Sequence, residues 1–147
     1  MIDNPPEATL AELDVIALWA LFISFERRLA DELVELGVSV SGFRLIGEVM
    51  REPGGVRQGE LARRLGVRPP TVSAAVARLE KQGLIYRIQD PDDPRARRVC
   101  LSPGTSLLPG IDVLARMESA MFGGMTDGER EQARATITTL TQRLEAQ

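Results

Sequence analysis

Residues 58–67 read Gln58-Gly59-Glu60-Leu61-Ala62-Arg63-Arg64-Leu65-Gly66-Val67, and their pattern indicates the architecture of the chain. It predicts a short helix in which the small side chain of Ala62 lets a second helix cross closely. Gly66 then provides the tight turn that two crossing helices need. The second helix is predicted to begin at Pro69-Pro70, because proline suits the first turn of a helix. The two segments together predict a helix-turn-helix motif.

The rest of the chain extends this motif on both sides. Thr9 and Glu12 have the spacing of a capping box and predict the start of a long first helix, which Gly37 ends. Thr126 and Glu129 predict a second capping box before the last helix. The predicted elements are helices over 10–36, 41–51, 58–65, 69–82 and 103–122, strands over 84–89 and 98–101, and a final helix after residue 126.

The two predicted strands follow the second motif helix directly. Between them lies the polar segment 90–97, which is too long for a two-residue turn and predicts a hairpin with an extended tip. Ser102-Pro103 predicts the start of the next helix, and Pro109-Gly110 predicts a kink within it. A hairpin directly after a helix-turn-helix is a wing. The predicted fold class is therefore mainly α with a small β-hairpin wing, a winged helix-turn-helix of the order α-α-α-α-β-β-α-α.

Length, composition and charge narrow the kind of protein. The 147 residues fit one domain over residues 1–147, and 44% hydrophobic with 27% charged residues is typical of a globular chain. The net charge is −3, yet residues 57–98 carry ten basic and five acidic side chains. One basic segment between acidic flanks is expected of a nucleic-acid footprint. A solvated surface rich in arginine is the alternative.

The residue types that most catalytic and metal sites need are scarce. The chain has no histidine and one cysteine, Cys100, which excludes Ser-His-Asp and Cys-His catalysis and histidine-ligated metals. We therefore expect no enzyme and no cofactor. The longest apolar run, residues 15–23, is shorter than the about 20 residues that span a bilayer. Without a signal peptide either, the expected location is cytoplasmic.

Three stretches carry a more specific pattern. Residues 60–67 read ELARRLGV, and Thr71-Val72-Ser73 is followed at residues 79–85 by LEKQGLI. Residues 93–104 follow the pattern D-x-R-(x)3-V-x-L-[ST]-x-x-G, except that Gly104 comes one position early. With these motifs and its helix order, the chain resembles the MarR (multiple-antibiotic-resistance regulator) family of winged helix-turn-helix transcription factors over nearly its whole length.

The resemblance implies an assembly and a mode of DNA binding. It implies a homodimer joined by the first and last two helices, here residues 10–36 and 103–147. It implies a DNA-binding lobe over residues 41–101, whose recognition helices enter successive major grooves of a palindrome. It also implies that the wing, residues 84–101, inserts Arg95 into the flanking minor groove with Asp93 bracing it. A narrow minor groove concentrates negative potential, which favours an inserted guanidinium.

One position departs from the family. Many relatives have an arginine directly after the serine of Thr-Val-Ser, whereas this chain has Ala74. Hydrogen bonding to base edges then falls to Thr71, Ser73 and Arg78, while alanine and proline can touch only apolar groups such as a thymine methyl. The candidate DNA-binding residues are Arg57, Arg68, Pro70, Thr71, Ser73, Ala74, Arg78, Asp93, Arg95, Arg97 and Arg98.

Other residues are candidates for regulation. Trp19 and Phe22 could line an effector pocket, which the resemblance implies between the dimer helices and the DNA-binding lobe; core or dimer packing is the alternative. Arg44 could meet an anionic effector, or be a solvated arginine. Cys100 could be a redox switch, but the family's cysteine sensors use a cysteine near the first helix, so we expect a packed thiol.

These observations predict a function and leave alternatives. The leading interpretation is a sequence-specific, homodimeric transcriptional repressor on a palindromic operator, with a small aromatic or lipophilic molecule as its candidate effector. The alternative is a winged-helix protein-interaction module without DNA readout, whose wing need not hold Asp93, Arg95, Arg97 and Arg98 together. A metal-sensing repressor is disfavoured because cysteine and histidine ligands are missing.

Overall fold

The computed structural model describes residues 14–146. The chain divides into two compact units, the first extending to Gly110 and the second beginning at Ile111. The predicted capping box of Thr9 and Glu12 lies outside the described residues. Within the described range, no helix combines the length and the apolar character that crossing a membrane requires.

The described elements confirm the predicted fold class, mainly α with a winged helix-turn-helix, and add one strand. A 3-10 turn at Val34–Leu36 follows the first helix. The helices are α1 (Asp14–Leu33), α2 (Val40–Met50), α3 (Gln58–Leu65), α4 (Pro69–Lys81), α5 (Leu108–Phe122) and α6 (Asp127–Glu145), and the strands are β1 (Val56–Arg57), β2 (Ile85–Gln89) and β3 (Arg97–Leu101).

Capping side chains and a glycine set several helix ends. Gly37 ends the first helical segment with a left-handed backbone at φ 63°. The Ser39 hydroxyl accepts a hydrogen bond from the Gly42 amide at 3.0 Å, so α2 begins one residue earlier than predicted. Thr126 and Glu129 form the predicted capping box at the start of α6. Local side-chain chemistry therefore explains these boundaries.

The helix-turn-helix lies in the first unit and supplies much of its core. Gly66 ends α3 with φ 65°, a left-handed conformation that glycine adopts without strain. Val72, Val76 and Leu79 form the predicted inward stripe of α4, and each is at most 2% exposed. The buried core of this unit consists of Leu45, Val49, Val56, Leu61, Ala62, Leu65, Val72, Val76, Leu79, Ile85 and Val99.

The wing belongs to a three-stranded antiparallel sheet in the order β1-β3-β2. In β1, Val56 pairs with Val99 and Arg57 pairs with Arg98. The sequence predicts only the two-stranded hairpin, because a two-residue strand has no periodicity to detect. The added strand matters for the site, since it positions Arg57 beside the base of the wing.

The helix predicted from Pro103 begins at Leu108 instead, so that prediction is wrong. Residues 102–105 form a turn in which the Thr105 amide donates to the Ser102 carbonyl at 3.2 Å. Gly104 has φ 77°, which suits the third position of a type II turn and cannot continue a helix. Pro109 then lies in the first turn of α5, where a missing amide hydrogen is tolerated and no kink is required.

Candidate nucleic-acid interface

The recognition helix α4 has one buried and one exposed face. Its buried stripe leaves polar and small side chains on the outer side, close to the helix start. Arg68 precedes the helix with extended backbone at ψ 148°, and prolines fill the first two helical positions. The predicted site residues exposed on this helix are Pro70, Thr71, Ser73, Ala74 and Arg78.

Gln58, the first residue of α3, contacts the recognition helix. Its side-chain amide Nε2 donates to Ser73 Oγ at 2.8 Å. The bond links the two helices of the motif on their exposed side. Ser73 is among the predicted site residues but Gln58 is not, because no local pattern pairs side chains that are 15 positions apart.

Asp93 shapes the tip of the wing through the backbone. Its Oδ1 accepts a hydrogen bond from the backbone amide of Arg95 at 3.0 Å, and its carbonyl accepts one from the Ala96 amide at 3.0 Å. This is the local pattern of an aspartate-supported turn. The contact orients the backbone at Arg95 rather than its guanidinium, which differs from the predicted brace. The side chains of Arg95 and Arg97 are exposed.

A buried carboxylate, Asp90, lies at the base of the wing and is not among the predicted site residues. Its side chain has no solvent exposure. It accepts hydrogen bonds from Arg57 Nε at 2.7 Å, Arg57 Nη2 at 3.2 Å and Arg98 Nε at 2.7 Å. The backbone amides of Asp92 and Asp93 donate to its Oδ1 at 2.8 and 3.2 Å. These donors compensate a charge whose burial alone is costly.

The Asp90 cluster, formed by Asp90, Arg57 and Arg98, assigns two predicted site residues a structural role. The hydrogen bond from Arg57 holds the pKa of Asp90 well below its usual value, with support from the Asp92 amide and Arg98. The same contact raises the pKa of Arg57. Because both arginines contact one buried carboxylate, part of their charge is neutralised before any DNA arrives. Arg57 and Arg98 hold the wing against β1.

The tip sequence contained a partial signal for Asp90. An aspartate before proline and two further aspartates is typical of a turn in which the side chain accepts backbone amides. The decisive partners, however, lie 33 and 8 residues away. The contact with Arg57 depends on the pairing of β1 with β3, which the sequence does not predict, whereas the contact with Arg98 lies within the predicted hairpin.

Arg63 and Arg64, the adjacent pair of arginines on α3, contact carboxylates. Arg64 Nε lies 2.8 Å from Glu60, and Arg64 Nη2 lies 3.2 Å from Glu52 near the end of α2. Arg63 also pairs with Glu60. Hydrogen bonds from Arg63 and then Arg64 lower the pKa of Glu60 to about 2. Arg64 therefore connects α3 to the C-terminal end of α2, and its charge is largely compensated within the protein.

The three candidate effector residues lie in different surroundings. Trp19 and Phe22 are 63% and 57% exposed on α1. Arg44 of α2 lines a hollow of about 10 Å³ together with Thr71 and Ala75 of the recognition helix, and this lining includes neither aromatic residue. A hollow of that volume admits about one water molecule. The effector pocket therefore stays a prediction.

Cys100 is the cysteine of β3 and is 6% exposed. This burial agrees with the predicted packed thiol. Within residues 14–146, no three histidine, cysteine, aspartate or glutamate side chains come close enough to hold a metal ion.

A helix-turn-helix followed by an arginine-bearing β-wing defines a winged-helix protein. The family model described as "MarR family" matches residues 36–96, which extend from the end of the first helical segment into the wing tip. An uncharacterised HTH-type transcriptional regulator of Bacillus subtilis (strain 168), YcgE, is 39% identical over 69 residues. That match covers 47% of this chain and 44% of the relative, so it spans less than half of the relative's length.

Solved structures extend the likeness over most of the chain. A crystal structure of MarR is 27% identical with a TM-score of 0.78, covering 92% of this chain and 100% of that one. The S. aureus MepR–DNA complex is 21% identical with a TM-score of 0.75, covering 89% and 98%. CouR from Rhodococcus jostii RHA1 bound to p-coumaroyl-CoA is 23% identical with a TM-score of 0.73, covering 90% and 94%. At these identities, the last two share the fold alone.

The family match and the MarR structure make the likeness more specific than the fold alone does. The chain is similar to the MarR family of winged helix-turn-helix transcription regulators in sequence over residues 36–96 and in fold over most of its length.

Proposed function

We propose that this protein is a repressor that binds a palindromic operator through α4 and the wing. The observation that carries the proposal is the exposed polar start of α4, which lies on the same winged-helix scaffold as the exposed arginines of the wing tip. A helix of this kind enters the major groove by its first turns. The MepR structure, a DNA complex of the same fold, supports the proposal.

The proposed site divides into residues with different tasks. Thr71, Ser73 and Arg78 contact base edges or nearby phosphates, and Pro70 and Ala74 offer only apolar contact. Arg95 enters the minor groove, while Arg68 and Arg97 contact phosphate. Arg57 and Arg98 act mainly by holding the wing, because both contact Asp90.

We infer that the functional unit is a homodimer. α1 has large apolar side chains that remain 36% to 63% exposed in the single chain, and such a patch is typical of a protein interface. A second copy covers it with the same surface and supplies the second recognition helix that a palindrome needs. We propose α1, α5 and α6, which lie within residues 10–36 and 103–147, as the dimerisation helices and 41–101 as the DNA-binding lobe. The exposed residues are Val15, Ile16, Leu18, Trp19, Leu21, Phe22 and Ile23.

Selection from a pool of duplex DNA with randomised sequence tests the proposal. The purified full chain should enrich a palindrome and sediment as a dimer at micromolar concentration. If each subunit makes about three to five phosphate contacts, the log–log dependence of affinity on salt should have a slope of roughly −5 to −9. Transcription from a promoter that contains the enriched site should fall when the protein is added. A flat salt response would favour the protein-interaction alternative.

We also propose that a small aromatic or lipophilic molecule releases the operator in the cytoplasm. The support is the structure of CouR with p-coumaroyl-CoA, an aromatic acyl thioester bound on the same fold. Trp19 and Phe22 are the candidate contacts, and Arg44 is a candidate for an anionic group. Screening aromatic acids and their thioesters for loss of operator binding tests this point, with Trp19→Ala as the variant expected to lose the response.

A further inference from the structure

The hydrogen bond between Gln58 and Ser73 joins a side-chain amide to a hydroxyl. The amide nitrogen of Gln58 donates and the Ser73 oxygen accepts, at 2.8 Å. A serine hydroxyl carries one proton and two lone pairs. The bond therefore uses a lone pair and leaves the proton of Ser73 for another acceptor. The carbonyl oxygen of the Gln58 amide also remains an acceptor.

The pair thus presents a donor and an acceptor side by side on the exposed side of the motif. The hydroxyl of Ser73 is the donor and Gln58 Oε1 is the acceptor. In the major groove, adenine offers the complementary order, an N7 acceptor beside an N6 donor. Guanine offers two acceptors, N7 and O6, so its O6 would face the glutamine carbonyl without a proton between them.

The pair lies where α4 would contact base edges, so the orientation of its hydrogen bond affects which base it can recognise. Ser73 lies on the exposed face of α4, next to Ala74. Because Ala74 offers no hydrogen bond, base discrimination on this side of the helix depends on the neighbouring polar groups. Gln58 approaches from α3 and extends the polar surface that α4 alone provides.

We propose that Gln58 and Ser73 together read one adenine of the operator half-site, with Gln58 setting the direction in which the Ser73 hydroxyl donates. The proposal rests on the operator binding proposed above. Gln58 is in this view a specificity-determining residue on the first helix of the motif, and Ser73 reads a base only with the polarity that Gln58 imposes.

The experiment compares base preferences rather than affinity alone. Full-length wild type, Gln58→Ala, Ser73→Ala and the double variant are each presented with the selected operator and with every single base-pair substitution of its half-site. At one position, the wild type should prefer adenine to guanine by about fivefold or more. Each single variant should lose most of that preference at the same position, and the double variant should lose no more than the singles.

Gln58→Glu tests the polarity directly. A carboxylate can only accept, so the Ser73 proton would turn to it and leave the base with two acceptors. The preference should then move from adenine to cytosine, whose N4 donates in the major groove. The double variant that combines Gln58→Ala with Thr71→Ala is the matched control. The effects of these two changes on the base preference should be additive. Melting temperatures should change little, because the bond joins exposed groups.

The outcomes separate the two proposals. A wild type that selects no sequence would overturn both the operator binding and the adenine contact. A wild type that selects an operator, with a preference profile that Gln58→Ala leaves unchanged, would overturn the adenine contact alone. Equal loss of affinity at every position in Gln58→Ala would also overturn it, since that result marks a phosphate contact.

Discussion

Arg57 and Asp90 join the strand before the helix-turn-helix to the base of the wing, with Arg57 Nε 2.7 Å from Asp90 Oδ2. The Asp90 side chain is fully buried, whereas that of Arg57 is 46% exposed. The interaction therefore anchors a half-exposed arginine on a carboxylate that cannot be hydrated. Arg98 contacts the same oxygen at 2.7 Å, so the wing strand and β1 share one anchor.

Asp90→Asn should loosen the wing and weaken operator binding. An amide keeps the volume but removes the charge that two arginines contact, and it places an NH2 group where an acceptor is needed. We expect operator affinity to fall about tenfold, since the wing loses its position, and the Tm to fall by roughly 5 °C. Fluorescence anisotropy and calorimetry measure the two effects.

Asp92→Asn is the matched control for that variant. It removes the same charge from the same hairpin, but the Asp92 side chain is exposed and only its backbone amide contacts Asp90. Its Tm should stay within about 1 °C and its affinity should stay equal or rise slightly, because a charge that repels phosphate is lost. Equal damage from both substitutions would show that charge at the tip, and not the Asp90 anchor, controls the wing.

The pH dependence of stability should also report Asp90. Its pKa is lowered in the folded protein from an ordinary value of 3.8, so its ionised form stabilises the fold. That contribution is complete well above pH 3.8 and decreases as the pH falls toward the folded pKa. The Tm difference between wild type and Asp90→Asn should therefore be constant from about pH 7 to 5 and shrink below about pH 4. A difference that grows on acidification would contradict this assignment.

Gly55→Ala should destabilise the sheet, whereas Gly54→Ala should not. Gly55 has φ 82°, and a Cβ there would lie 2.5 Å from Cys100 Sγ and 3.0 Å from the Val99 carbonyl oxygen. At Gly54 a Cβ would meet nothing within 4 Å. We expect a loss of about 1–3 kcal/mol in the free energy of unfolding for Gly55→Ala and less than about 0.5 kcal/mol for Gly54→Ala. Urea denaturation measures both.

Adding Cys100→Ala to Gly55→Ala gives a second readout. The double variant removes the sulfur contact but keeps the left-handed backbone and the Val99 carbonyl contact. Because Cys100→Ala itself removes a buried side chain, the double variant is compared with Cys100→Ala alone, and in that background Gly55→Ala should cost less than in the wild type but still destabilise. No remaining cost would assign the whole effect to the thiol, and an unchanged cost would assign it to the backbone.

The helix-turn-helix is predictable because its signals are local. The predicted bounds of α3 are those of the structure, and α4 ends one residue earlier than predicted. These bounds are predictable because glycine and proline start or end a helix at their own positions in the sequence. The sequence Ser102-Pro103-Gly104 is ambiguous, because serine and proline suit both a helix start and a turn. Gly104 has a left-handed backbone, which is compatible with the turn and not with a helix, so α5 begins only at Leu108.

The anchor of the wing is not predictable in the same way. Strand β1 has two residues, so its pairing with β3 depends on tertiary structure and leaves no pattern in the sequence. From the sequence alone, Arg57 and Arg98 are therefore interpreted as unpaired cations of the basic segment. The contact with Asp90 shows that an arginine count overstates the charge available for DNA.

Arg95→Ala gives the sharpest test of the wing. Arg95 is exposed at the tip and its backbone is held by Asp93, so removing its side chain should leave the core and the Asp90 cluster intact. We expect an unchanged Tm and unchanged sedimentation, with operator affinity lower by about 1–3 kcal/mol. Asp93→Ala should weaken binding less, since it loosens the turn but also removes a charge that repels phosphate.

The controls for Arg95 separate position from charge. Arg51→Ala removes an equal charge from the end of α2, where the arginine is exposed, and should leave affinity nearly unchanged. Arg98→Ala should lower both the Tm and the affinity, because it breaks the Asp90 cluster. Titrating all of these variants against the selected operator at matched salt gives the comparison. If Arg95→Ala binds as tightly as the wild type, Arg95 is not a DNA contact, and the proposed minor-groove contact fails while readout by α4 is unaffected.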